Sequence, residues 1–167
     1  METLIATLRD ECDAYDGLLS LSRKKTPVII TGDLNELTKI TEEEQEYAGR
    51  IQNLEKKRVE VTADIANVVN RDVNKLKLKD LIEMLEARPS EQRALIEIHD
   101  RLHVSVHELK RVNEQNAELL SSSLEMVQYE ITLLQAMKAA PETANYSKGT
   151  YTGETMGISR GGFDAKQ

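Results

Sequence analysis

The 167-residue chain has no tryptophan, one phenylalanine and five tyrosines, so aromatics make up only 4% of it. β-Sandwiches and barrels draw on aromatic and β-branched residues, and this composition supplies them poorly. A single cysteine excludes a disulfide framework within the chain. No apolar run approaches the roughly 20 residues that a transmembrane helix needs. The opening segment METLIATLRDECD meets charge within its first ten residues and holds no apolar stretch of signal-peptide length. Positive charge is also short, with 22 Lys and Arg against 29 Asp and Glu and a net charge of −7. That balance argues against nucleic-acid binding, which needs a basic face, and against an anionic membrane surface as partner. The expectation is a soluble, cytoplasmic protein without nucleic acid and without membrane insertion.

What the chain does have is 31% charged and 40% hydrophobic residues, a mixture suited to long helices that share a narrow seam. Ile5, Leu8, Cys12, Tyr15, Leu19 and Ser22 alternate at spacings of three and four, the heptad seam of a helix over about residues 2–25. Pro27 is expected to end it, leaving Val28, Ile29 and Ile30 as a connection that plugs one end of a bundle. Asp33 with Glu36 reads as a capping box opening a second helix over 33–70. Leu34, Leu37, Ala48, Ile51, Leu54, Val61, Ile65 and Val68 mark its inner face, and Arg58 falls on the same seam. A short helix is expected over 78–87, stopped by Pro89. Ser90 then caps a third long helix over 91–138, which contains neither Gly nor Pro and would run on the order of 70 Å.

The expected fold is therefore all-α: an elongated antiparallel bundle or coiled coil of three long helices plus one short helix. It occupies residues 1–139 and is followed by a flexible tail, 140–167. Five of the eight glycines lie in that tail, and its charges balance. No helical or strand period survives there, the pattern of a segment without its own core. Tyr146, Tyr151 and Phe163 nevertheless give the tail half of the aromatics, which suits docking residues better than an inert linker.

Chemistry-bearing patterns are sparse. His99, His103 and His107 recur every four residues, so they stack along one helical stripe, the spacing at which two histidines can share a metal ion. No second histidine cluster or nearby cysteine completes such a site, and Asp100 is the one well-placed carboxylate, so no metal is expected. No Glu-x-x-His pair supports a di-iron centre, and no glycine-rich loop between a strand and a helix supports a nucleotide site. Cys12 reads as a small hydrophobe on a seam. The chain is thus expected to be no enzyme and to need no cofactor. Asn113 and Asn116 face the seams of the third long helix, beside the small residues Ser121, Ser122 and Ser123. Polar residues at such positions either lock register inside a bundle or form a groove floor that hydrogen-bonds a partner helix.

The stretch from Leu109 to Leu120, LKRVNEQNAELL, followed by Ser123-Leu124-Glu125, resembles the signature of FlgN-type flagellar export chaperones. So do Leu54-Glu55-Lys56-Lys57-Arg58 and a tail that closes on Phe163-Asp164-Ala165-Lys166-Gln167. The resemblance implies a cytoplasmic, non-enzymatic protein that binds C-terminal helical segments of the hook–filament junction proteins FlgK and FlgL. It would keep them from premature assembly and deliver them to the flagellar type III export gate. A tail tyrosine is implied in docking to that gate, with Tyr146 the best match and Tyr151 the alternative. Client binding is implied for the C-terminal half, here the late third helix and the tail, and on that helix Leu120, Leu124, Val127, Ile131 and Leu134 form a surplus apolar face beside Asn113 and Asn116. Such a face suits the helix-in-groove mode of recognition. The competing reading is a structural coiled coil that closes a homodimer or four-helix bundle through the same face.

Overall fold

The computed structural model describes residues 1–72 and 76–139. Among them the regular structure is entirely α-helical: α1 (Glu2–Thr31), α2 (Leu34–Val68), α3 (Leu78–Met84) and α4 (Pro89–Ala139). The chain divides into two units, Met1–Glu130 and Ile131–Gln167.

In the first unit the heptad seam of α1 is the centre of the core. Leu4, Ile5, Leu8, Cys12, Leu19 and Ser22 are buried, and Tyr15 is half-buried. The helix does not stop at Pro27, contrary to the sequence expectation, but runs on to Thr31. A proline inside a helix forfeits one backbone hydrogen bond and crowds the preceding turn. Here the ring is exposed, so water can satisfy the carbonyl it leaves free. The turn beyond it is closed by Gly32 at φ 70°, whose N–H reaches the carbonyls of Val28 at 3.0 Å and Ile29 at 3.2 Å. This left-handed cap is open to glycine without a Cβ penalty. Val28, Ile29 and Ile30 are accordingly a last helical turn and not a connection, with Ile29 buried and Ile30 exposed.

Gly32 and Asp33 then reverse the chain. The Asp33 carboxylate accepts the N–H of Glu36 at 3.0 Å, satisfying one of the free donors at the start of α2. The reciprocal half of the expected capping box is replaced by a Glu36–Lys39 ion pair at 3.2 Å. Successive contacts fix α2 antiparallel to α1: Lys25 with Glu44, Tyr15 with Glu55, and Glu11 with Arg58. Gly17 lets the two backbones approach here, because a Cβ at that position would enter the ring of Tyr47.

α4 returns parallel to α1. Cys12 Sγ donates to the Ile98 carbonyl at 3.6 Å, Arg101 binds Asp13 and Asp16, and Asn116 reaches Ser22 and Thr26. The long helices of this unit therefore run up, down and up. The short α3 sits at the end formed by the start of α1. Its Leu81, with Leu85 just beyond it, shares a core with Leu4, Ile5 and Leu8 of α1 and with Leu95 and Ile98 of α4, while Val61 and Ile65 of α2 pack alongside. Gln92 of α4 donates to the Ile82 carbonyl at 2.9 Å, holding α3 in place. α3 ends at Met84, three residues before the expected stop, and α4 begins at Pro89, two residues earlier than expected. Proline fits a first helical position because the N–H it lacks has no helical partner there.

Three residues assigned to the inner face of α2 are exposed instead. Leu34 lies in the first turn, Val68 in the last, and Ala48 beside an open groove. In the second unit the described stretch 131–139 is helical, with Ile131, Leu133, Leu134 and Met137 exposed. Residues 140–167, and with them Tyr146, Tyr151 and Phe163, lie outside the described residues.

Candidate functional site

Asn116 is the pivot of the site within the first unit. It is 3% exposed on the face of α4 that meets α1. Its Nδ2 donates to the Ser22 carbonyl at 2.8 Å, and its Oδ1 accepts from the Thr26 hydroxyl at 2.7 Å. Both ends of the amide are thus committed to the last turns of α1, shortly before the exposed Gly32 turn ends that helix. A buried amide satisfied in this way fixes register, since a slip of either helix would strand its polar groups. Next to it Lys25 Nζ meets Glu44 Oε2 at 2.6 Å, with both side chains only 17% exposed. Ser22 Oγ adds a hydrogen bond to the other oxygen of Glu44 at 3.4 Å. One polar knot therefore joins α1, α2 and α4.

Around this knot lies an open concavity of about 430 Å³. Its floor is Leu18 and Lys25 of α1. One wall is Thr41, Glu44, Gln45 and Ala48 of α2, and the other is Asn113, Asn116, Ala117 and Leu120 of α4. Each wall repeats at three and four residues, so each is one stripe of its helix. Two antiparallel helices over a shared floor make a trough of the shape that a further helix fills. At the opposite end of the unit α3 takes up apolar surface from all three long helices. Among the described residues nothing does so at the Asn116 end.

Of the predicted client-binding residues, the fold brings Asn113, Asn116 and Leu120 together in this trough. Asn113 is exposed, Leu120 half-buried. Leu124 at 69% exposure and Val127 at 50% continue along α4 within the first unit, and Met126 and Tyr129 are exposed there too. Ile131 and Leu134 belong to the second unit and are exposed. Of the α2 wall, sequence reasoning names only Ala48, and as core and not as surface. The wall's signal is present: Thr41, Gln45 and Ala48 follow Leu34 and Leu37 on one stripe, but the stripe is too weakly apolar to read as a surface.

The remaining candidates behave differently. His99 is half-buried, with Nδ1 3.1 Å from Asp100 Oδ1, while His103 and His107 are exposed. Among the described residues no group of three or more His, Cys, Asp or Glu is arranged to hold a metal ion. Cys12 is fully buried, and burial pushes its thiol above the usual cysteine range. Arg58, on the seam of α2, is half-buried, and its partner is Glu11, 1% exposed and 3.0 Å from the guanidinium. Desolvation raises the Glu11 carboxyl above its ordinary value, and Arg58 opposes that shift only in part. Tyr15, bonded to Glu55 at 3.3 Å, is raised as well, by burial first and by the Glu55 charge second. The Glu11–Arg58 and Tyr15–Glu55 pairs stitch α1 to α2. Among the described residues no helix is long and apolar enough to cross a membrane.

Comparison with known proteins adds one family and one relative. The family model described as FlgN protein matches residues 1–153. The uncharacterised protein YvyG of Bacillus subtilis strain 168 is 27% identical over 148 residues, spanning 88% of this chain and 86% of the relative. No solved structure matches the chain.

Proposed function

Because the chain belongs to the FlgN family, the family of flagellar export chaperones, we propose that it chaperones the hook–filament junction proteins of the FlgK and FlgL type. In this reading it works in the cytoplasm, binds their C-terminal helices, prevents premature assembly and delivers them to the export gate. The observation that carries it is the family match over residues 1–153. FlgN is a family of chaperones and not of enzymes, which agrees with work done by binding alone.

The trough between α2 and α4 supports the reading physically. Proteins that assemble through amphipathic helices need those helices covered until they assemble, and a trough lacking its fourth helix offers the cover. Asn113, Leu120, Leu124 and Val127 would touch the client, and Asn116 would hold the α4 wall in register from beneath. Ile131 and Leu134 are proposed as client contacts within the second unit. Tyr146, or Tyr151 in its place, is proposed for docking to the export gate. Apolar burial contributes about 25 cal/mol per Å², less the cost of ordering the client, so the affinity expected is moderate and compatible with handover.

The test is a calorimetric titration of the full chain with the C-terminal segments of the junction proteins from the same organism. Saturable binding lost on Leu120→Asp supports the proposal. Absence of binding, together with a homodimer in sedimentation that Leu124→Asp dissolves, would assign the face to self-association and overturn it.

A further inference from the structure

The walls of the trough carry a charge pattern that specifies its occupant further. On α4, Glu114, Glu118 and Glu125 are spaced by four and seven residues and so share one stripe. Glu114 follows the trough residue Asn113, and Glu118 follows Ala117, which puts that stripe about a quarter-turn outward of the wall. On α2, Glu42 follows Thr41 and Glu46 follows Gln45, which places a second acidic pair on the outer edge of the facing wall. All five carboxylates are exposed. Glu114 has a loose pairing with Lys110 at 3.8 Å, and the other four make no ion pair among the described residues. From residue 112 to residue 130, α4 contains no Lys or Arg at all. Among the described residues the one cation lining the trough is Lys25, which Glu44 already neutralises. Over the span that lines it, both rims of an otherwise apolar and amide-lined trough are therefore negative; on α2 Lys39, paired with Glu36, and Arg50 lie just beyond that span.

We propose that the trough selects a single amphipathic helix whose apolar stripe is flanked by Lys or Arg. This deepens the chaperone reading and rests on it for the identity of the site. Two acidic rims attract basic flanks and repel acidic ones, a contribution to specificity and encounter rate more than to raw affinity. The same rims disfavour a second copy of this chain as occupant. The helix that such a copy would insert is α4 itself, and its flanks are the same glutamates, so like charges would face each other along both edges.

The experiment uses the full chain and three synthetic peptides of about 20 residues, read by fluorescence anisotropy. Two share one leucine stripe at helical spacing, flanked in one by lysine and in the other by glutamate. The third has the lysine composition in scrambled order. The lysine-flanked helix is expected to bind about tenfold more tightly than either other peptide, with an advantage that shrinks as salt rises. The quadruple variant Glu42→Lys, Glu46→Lys, Glu118→Lys, Glu125→Lys changes only exposed positions and is expected to reverse the preference at unchanged helicity. Equal binding of the two helices, equal binding of the scrambled peptide, or an unreversed preference would each overturn the proposal. The junction-protein segments separate this inference from the chaperone reading. If they bind and are displaced equally by both helices, the charge rule fails and the chaperone reading stands. If they do not bind while the lysine-flanked helix does, the chaperone reading fails and the charge rule stands.

Discussion

At the scale of single residues, the buried polar groups decide how the first unit fits together. Asn116 costs the seam an apolar side chain and returns two hydrogen bonds to α1, at 2.7 and 2.8 Å. Asn116→Ala removes both and leaves the Thr26 hydroxyl only its longer bond to the Ser22 carbonyl, at 3.4 Å, so a loss of about 1–3 kcal/mol is expected in urea denaturation. A variant as stable as the parent would show that the amide is not fixing register. Glu11 acts through pH instead. Burial raises its carboxyl above the ordinary range, so the folded state binds its proton more tightly than the unfolded chain does. A raised pKa contributes stability below the unfolded value and loses it as pH rises through the folded one. Relative to Glu11→Gln, whose side chain cannot ionise, the parent should therefore gain stability as pH falls from 7 towards 5. Urea midpoints of both proteins at the two pH values measure it, and the gap between them should move in the parent's favour on acidification. A parent that instead loses ground to Glu11→Gln would mean that the Arg58 pairing outweighs the burial.

At the scale of elements, local pattern and tertiary context part company at identifiable places. The seams of α1 and α4 are legible because deep burial forces apolar residues to recur every three or four positions, as Leu4 and Leu8 do in α1 and Leu95 and Ile98 in α4. Pro27 misleads because proline usually marks an end, whereas the strong cap at Gly32 makes one further turn worthwhile. Pro27→Ala is consequently expected to raise the stability of the first unit, by about 1–3 kcal/mol, by restoring one helical hydrogen bond. A raised midpoint in thermal unfolding checks this, and a lowered one would mean that α1 uses the proline to aim its last turn. Glu11 escapes sequence reading since a carboxylate on an apolar seam can be recognised only once its partner, Arg58, is known to lie across from it. The site is half legible for a related reason. Leu120, Leu124 and Val127 stand out on α4 as apolar residues in excess of what one neighbour can cover. The wall of Thr41, Gln45 and Ala48 carries no such excess and becomes visible only through its position opposite them.

At the scale of the molecule, the question is whether the apolar surface left on α4 belongs to the fold or to a partner. The first unit answers differently at its two ends. Leu81 and Leu85 are buried at one, while at the other Leu124 and Val127 stay in water. If that exposed surface is held for a client, polar substitution there should spare the fold and abolish the complex. Leu120→Asp combined with Val127→Asp places two carboxylates along the proposed contact, where burying them against an apolar client stripe is costly. Far-ultraviolet circular dichroism of the double variant should stay close to that of the parent, and binding of the junction-protein segments should be lost. Ligand linkage supplies an independent reading, because a partner that binds only the folded chain stabilises it by about 2.7 kcal/mol at a hundred times its Kd. The parent should therefore melt higher when client is added, and the double variant should melt at the same temperature with or without it. Collapse of helicity in the variant alone would mean that Leu120 is core, moving the client surface outward to Leu124 and Val127. An intact variant that still shows the client-induced shift would place the client away from this trough altogether.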